Sequence, residues 1–175
     1  AILASGYKDT DVTTIYTMIG LEQELPFVPG LRFKSNFAFD PTTTYIKAWQ
    51  LPTHVHTLDV TKDPYEYIDG VWGSATPSLN ETYRKSNQIT WQGSFDYVGS
   101  FGNHNVSALA LLETKEVRIN SLAAGRKNYS LYIDEINTGS SAAADISNSG
   151  SSSMARQMGL VYRLTYDFKN KYLFE

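Results

Sequence analysis

The stretch that decides the fold is NQITWQGSFDYVGSFGNHNVSALALLE, residues 87–113. From residue 89 to residue 101, apolar or small residues occupy every odd position, and polar residues occupy most of the even positions. This period of two predicts a β-strand with one apolar and one polar face, because successive side chains of a strand point to opposite sides. The apolar face must therefore meet either the interior of a soluble protein or lipid.

The composition limits the classes of protein to which the chain can belong. Aromatic residues make up 13% of the 175 residues, which favours strands over helices. The net charge of −3 gives no sign of nucleic-acid binding, so we expect no nucleic-acid partner. The chain has no cysteine, which excludes disulfides and thiolate metal sites. Its longest apolar run, ALALL at 108–112, is too short for a membrane helix, so membrane insertion would require a β-barrel.

The same alternation recurs along the chain and predicts an antiparallel, all-β sheet. The predicted strands are 12–25, 31–39, 89–101, the less regular 105–117, and 158–168, with a sixth beginning at Lys171. Tight turns are predicted at 26–30, 102–105 and 169–171, and long connections at about 41–87 and 118–155. The second connection contains a Ser/Ala-rich stretch, 138–153, that we expect to be a flexible loop. Short turns at one end and long loops at the other are typical of outer-membrane barrels.

Charge is sorted between the two faces of the regular strands. Their apolar face carries no charged residue, as a bilayer would enforce, because a Lys or Arg facing lipid at the midplane costs about 2–4 kcal/mol. We expect the charges of the opposite face to point into the lumen of a barrel; they include Glu22, Glu24, Arg32, Lys34, Asp96, Arg163 and Asp167. Salt bridges within the wall are the plainer interpretation of these charges, and contact with a plug or a ligand path is the alternative.

Strand length and aromatic placement favour lipid over a soluble core. The alternation continues well beyond the length of about 5–6 residues that is commonest in globular proteins. Aromatic residues gather at both ends of the predicted strands, as in the two girdles of a membrane barrel. Because a closed barrel needs at least about eight strands, we expect the chain to be a segment of a larger barrel.

Three segments resemble the SusC/RagA-type TonB-dependent outer-membrane transporters. They are LEQELPFVPGLRFKSNFAFD (21–40), FGNHNVSALALLE (101–113) and GLVYRLTYDFKNKYLFE (159–175), and they follow the order and spacing of that family. The resemblance implies a barrel of about 22 strands, of which residues 1–175 form part of the wall, while the plug domain and TonB box do not occur in this chain. It also implies a turn-stabilising hydrogen bond at His104.

The resemblance further implies a function and a set of partners. The function is TonB-dependent uptake of glycans or other oligomers, including peptides, across the outer membrane of a Gram-negative bacterium. The partners are a SusD-like surface lipoprotein, the TonB complex, outer-membrane lipid and the oligosaccharide or peptide substrate. A porin or adhesin barrel without active transport is one alternative, and a soluble β-sandwich binding module is another.

Aromatic residues in the long connections are candidates for contact with a ligand or a partner, although they also suit packing of the loops. These candidates are Trp49, Tyr65, Tyr67, Trp72, Tyr83, Tyr129 and Tyr132. The pair His54 and His56 suggests metal binding, but the sequence offers no clear third ligand, so we expect a solvated loop and no metal. The adjacent acids Asp134 and Glu135 are weak candidates for a glycosidase pair. We expect no cofactor and no enzymatic activity.

Overall fold

In a computed structural model, residues 5–175 are described, and they are almost entirely β-structure. The strands are β1 (Gly6–Thr14), β2 (Met18–Glu24), β3 (Leu31–Gln50), β4 (Thr53–Asp59), β5 (Glu66–Trp72), β6 (Ser78–Phe101), β7 (His104–Lys127), β8 (Ile146–Phe168) and β9 (Tyr172–Phe174). Short 3-10 turns lie at Ile136–Thr138 and Ala143–Asp145. No helix among residues 5–175 is long and apolar enough to cross a membrane. Residues 1–4, which the sequence assigns to the same barrel segment, lie outside the described residues.

The main sheet confirms the predicted all-β, antiparallel fold of a barrel segment. Its order is β1-β3-β6-β7-β8-β9, with β2 also paired to β3, and a separate two-stranded sheet joins β4 to β5. β1 and β2 act as one interrupted strand, because Ile15 donates a backbone hydrogen bond to Pro41 and Phe39 donates one to Thr17 across the break. The sheet therefore contains five long strands and the start of a sixth, as predicted.

The strands are longer than the sequence pattern predicted. β6 and β7 each have 24 residues, and β8 has 23. The predicted connections 41–87 and 118–155 are therefore wrong over much of their length, and residues 146–153 of the Ser/Ala-rich stretch belong to β8. The physical reason is that backbone hydrogen bonds to a neighbouring strand extend a ladder through polar residues that show no alternation.

The described chain divides into two compact units. Unit one comprises residues 5–13, 43–85 and 120–152, and unit two comprises residues 14–42, 86–119 and 153–175. Among residues 5–175, the buried hydrophobic side chains are Trp49, Leu79 and Tyr129, all in unit one. The Trp49 and Tyr129 rings meet edge to face with their centroids 4.7 Å apart, and Leu51 and Ile136 pack against the group. Unit one thus has a small aromatic core.

Unit two keeps the two faces that the sequence predicted. On the apolar face, Phe33 and Phe95 lie with ring centroids 5.2 Å apart, and the register pairs Ile19 with Phe37. On the polar face, the same register pairs Glu22 with Lys34. Alternation along single strands therefore holds across neighbouring strands.

The three tight turns lie where they were predicted. Gly30 has a φ of +86°, which favours glycine, and a side chain there would overlap the carbonyl oxygen of Val98. Lys169 and Asn170 also have positive φ values, 57° and 54°. The Asn170 amide donates to the Asp167 carboxylate over 2.8 Å, which closes the last turn.

Candidate functional site

The polar face of unit two gathers the charges that were predicted to face a lumen. Arg32 Nη1 lies 3.3 Å from Glu22 Oε1, and Lys34 Nζ lies 3.6 Å from Glu22 Oε2. Glu24 lies opposite Arg32 in the register, so it shares this face. We refer to Glu22, Arg32 and Lys34 as the Glu22 cluster. All three side chains are partly exposed, and exposed ion pairs contribute only about 0–1 kcal/mol to stability. The cluster therefore leaves polar groups available to a solute at little cost to the fold.

A groove of about 190 Å³ brings further predicted charges together on unit two. Its polar lining comes from Arg32 on β3, Asp96 on β6, Ser107 on β7 and Arg163 on β8. Asp96 accepts a hydrogen bond from Ser94 over 3.3 Å, and Arg163 pairs with Glu175. Guanidinium donors beside a carboxylate and a hydroxyl can hydrogen-bond sugar hydroxyls or peptide groups.

Asp167 lies apart from this groove, at the turn between β8 and β9. Its carboxylate accepts hydrogen bonds from the Asn170 amide at 2.8 Å and from Asn105 Nδ2 at 3.5 Å. His104 Nδ1 lies 2.6 Å from the Tyr166 hydroxyl, which agrees with the turn-stabilising hydrogen bond that the resemblance implies. Asp167 and His104 thus hold the end of the sheet.

The aromatic candidates fall into two groups. Trp49 and Tyr129 are buried against each other and present little surface to a ligand, so their burial argues against the predicted contact role. The others are exposed and keep that role as a prediction; they are Tyr65, Tyr67, Trp72, Tyr83 and Tyr132. Tyr67 and Trp72 lie on β5, with Tyr65 just before it, so these three rings belong to the β4–β5 hairpin.

The His54 and His56 pair lies on β4 of the same hairpin. His56 Nδ1 lies 2.5 Å from Asp69 Oδ1 on β5, and both side chains are exposed. Among residues 5–175, no three His, Cys, Asp or Glu side chains are grouped so as to hold a metal ion. The hairpin thus carries exposed aromatic and acidic side chains.

Sequence reasoning missed a polar cluster that fastens the β7–β8 connection to β1 and β3 within unit one. Lys47 Nζ lies 3.0 Å from Asp134 Oδ2, and the Tyr7 hydroxyl donates to the same carboxylate. The hydrogen bond from Tyr7, followed by that from Lys47, lowers the pKa of Asp134. Arg126 Nη1 also donates to the Gly139 carbonyl over 3.1 Å. No local pattern signals this cluster, because Tyr7 and Asp134 are far apart in the sequence.

The sequence matches no protein-family profile and no curated protein. The structure is similar to three solved structures of RagAB: the peptide transporter (16% identity, TM-score 0.69), the peptide importer in its open-open state (14%, 0.68) and in its closed-closed state (15%, 0.65). The alignments cover 93%, 93% and 91% of this chain but only 17%, 16% and 16% of those chains. The chain thus spans less than a fifth of the length of those proteins, and at this identity the likeness shows a shared fold.

Proposed function

We propose that the chain forms part of the wall of an outer-membrane importer that takes up glycans or other oligomers, including peptides. The observation that carries the proposal is the single sheet of unit two, which exposes an apolar face on one side and charges on the other. The apolar face includes Tyr162, which is 82% exposed, and Leu160, which is 70% exposed. A large exposed apolar patch marks a membrane or protein contact, and a soluble β-sandwich would cover it with a second sheet.

In this proposal the polar face lines the passage for the substrate. The Glu22 cluster and the groove beside Arg32, Asp96 and Arg163 supply donors and acceptors along the wall. The exposed rings of the β4–β5 hairpin meet the substrate or a SusD-like lipoprotein. A plug and the TonB complex, contributed by other parts of the system, supply the energy for transport. The segment binds and guides the substrate and catalyses no reaction.

Neighbouring residues on β3 test whether the apolar face meets lipid. Phe37 pairs with Ile19 on the apolar face, and Asn36 pairs with Gly20 on the polar face. We expect Phe37→Arg in the full-length protein to lower the amount of folded barrel in the outer membrane, since a cation facing lipid costs about 2–4 kcal/mol at the midplane. The matched Asn36→Arg variant should assemble almost normally.

The outcomes of this test are read from heat-modifiable mobility and outer-membrane fractionation. Equal loss in the two variants would contradict the assigned faces. A full-length protein that stays soluble and monodisperse without detergent would contradict the membrane location itself. Active transport is tested separately, by uptake of labelled oligosaccharides and peptides before and after a protonophore. Uptake that persists without the proton gradient would identify a passive barrel.

A further inference from the structure

The apolar face of unit two ends at three charged side chains, Glu116, Arg118 and Arg156. Glu116 on β7 accepts a hydrogen bond from Arg118 Nε over 2.5 Å and another from Arg156 Nε of β8 over 2.6 Å. We refer to these three residues as the arginine cluster. Glu116 is only 22% exposed, whereas Arg118 is 57% and Arg156 is 63% exposed. The carboxylate thus orients two guanidinium groups that remain open to their surroundings.

Contacts between strands place the arginine cluster on the apolar side of the sheet. His104 on β7 contacts Tyr166 and Phe168 of the apolar face, and residues 116 and 118 follow it at even spacing on the same strand. On the opposite side, Gln92 bonds to Glu113. Arg156 precedes the apolar-face residue Met158 by two positions. The two arginines are therefore direct continuations of the apolar face and not members of the polar face.

An open groove of about 480 Å³ lies beside the cluster. Its walls include Ile89 of β6 and Met158 of β8, and Glu116 and Arg156 lie at its charged side. Leu160 follows Met158 on the same face and is well exposed. The surface therefore has an apolar strip along Met158 and Leu160 that ends at the cationic arginine cluster. This arrangement suits an anionic amphiphile.

The charge and geometry of the cluster specify the head group. Two arginines and one glutamate leave a formal charge of +1, and within residues 5–175 the terminal nitrogens of both arginines have no partner. A guanidinium binds phosphate through paired, charge-assisted hydrogen bonds. The oxygens of a phosphate group would accept hydrogen bonds from the terminal N–H groups of the two arginines, which Glu116 does not bind.

We propose that the arginine cluster binds the phosphate of an anionic lipid in the outer leaflet, with an acyl chain of that lipid along Met158 and Leu160. The inference rests on the proposed function, because it requires the apolar face to lie in a bilayer. It adds a specific lipid contact to that function. The cluster then marks the level at which the apolar face meets the lipid head groups.

The test compares lipid retention by the full-length protein in nanodiscs that contain a small fraction of bisphosphorylated lipid A. Native mass spectrometry counts the lipid A that remains bound to wild type, to the double variant R118Q/R156Q, and to R163Q. Arg163 is a matched control, because it lies on β8, is 62% exposed and also pairs with a glutamate, but on the polar face. We expect the double variant to retain lipid A about tenfold more weakly, equivalent to about 1.4 kcal/mol, and R163Q to retain it normally.

Two further arms identify what the cluster recognises. Dephosphorylated lipid A should be retained equally weakly by wild type and the double variant, and inorganic phosphate should not displace the bound lipid. The proposal is overturned if wild type and the double variant retain lipid A equally, if wild type retains dephosphorylated lipid A as strongly as lipid A, or if inorganic phosphate displaces the bound lipid. A wild-type protein that fails to insert into nanodiscs would overturn the proposed function as well. Normal insertion with unaltered retention would overturn only the lipid site.

Discussion

Replacing Tyr129 gives the sharpest test of whether side-chain packing holds the connection between β7 and β8 in place. Tyr129 is 5% exposed and packs on Trp49 and Leu79. Replacing a buried aromatic side chain by alanine costs about 3–5 kcal/mol. Because this ring belongs to the segment 128–145 and its buried neighbours Trp49 and Leu79 belong to strands, we expect Tyr129→Ala to release the segment locally while the sheet remains folded.

The Tyr129 hydroxyl separates packing from hydrogen bonding. It is buried, and among residues 5–175 it has no hydrogen-bond partner. Its burial raises the pKa of Tyr129, as expected for a group that has lost water. An unsatisfied buried hydroxyl costs about 1–3 kcal/mol, so Tyr129→Phe should preserve or increase the stability of the segment.

Hydrogen exchange measured by mass spectrometry on the full-length protein reads this local stability. A loss of about 3 kcal/mol corresponds to exchange more than about 100-fold faster in peptides covering 128–145. The control is Tyr132→Ala, since Tyr132 lies in the same segment but is 73% exposed, and its exchange should match wild type. Equal acceleration by Tyr132→Ala and Tyr129→Ala would refute the role of packing. A Tyr129→Phe variant as damaging as Tyr129→Ala would show that the hydroxyl has a partner.

Two further predictions concern the polar cluster of Tyr7, Lys47 and Asp134 and the turn at 26–30. The hydrogen bond from Tyr7, and secondarily that from Lys47, lowers the pKa of Asp134 in the folded protein. The ionised carboxylate therefore stabilises the segment fully at pH values above its ordinary pKa of 3.8, and this stabilisation is lost as the pH falls through the lower pKa of the folded state. Proteolysis of 128–145 by an acid-active protease should increase at low pH. Asp134→Asn should reduce this pH dependence and leave the part that comes from Asp145, whose pKa is lowered by the hydrogen bond from Asn128. Gly30→Ala should destabilise the barrel by more than about 1–2 kcal/mol, since φ is +86°. Gly159→Ala, with no atom near its added carbon, should leave the heat-modification temperature unchanged.

The two faces of unit two were predictable because the penalty for misplacing a charge is large. Within the regularly alternating stretches, no position of the apolar face carries a charge, so the pattern is strong enough to read without coordinates. The contacts between Phe33 and Phe95 and between Glu22 and Lys34 follow from it once the strands are adjacent. The turn at 26–30 was predictable for a related reason, because few residues other than Gly accept the backbone angle of Gly30.

The ends of β3 and β8 that lie farthest from the tight turns were not predictable from alternation. Residues 41–50 and 146–153 are strands, yet the first contains a run of threonines and the second is mostly Ser and Gly. Backbone pairing with adjacent strands supplies their hydrogen bonds whatever the side chains are. A period of two appears only where the two faces meet different surroundings, so its loss marks a change of environment and not the end of a strand.

The sequence identified many candidate residues, but it did not show which of them are buried or which lie together. Aromatic type did not distinguish the buried Trp49 and Tyr129 from the exposed Tyr67 and Trp72. Their burial depends on contacts between residues that are distant in the sequence, such as Leu79 with Tyr129. The same limit applies to the arginine cluster, because Glu116 and Arg156 meet only after β7 and β8 have paired.

The distance between the arginine cluster and the last turn gives a physical measure of the apolar face. Along β8, that face is free of charge from Met158 to Phe168, and Arg156 and Lys169 flank it. Roughly ten steps of about 3.3 Å give a length of ~33 Å along the strand. A tilt of about 40° reduces this to a height of ~25 Å, which is the height of the apolar band of an outer-membrane barrel. A soluble sheet has no reason to keep that height, so the position of Arg156 supports both the proposed membrane location of the wall and the proposed lipid-phosphate site.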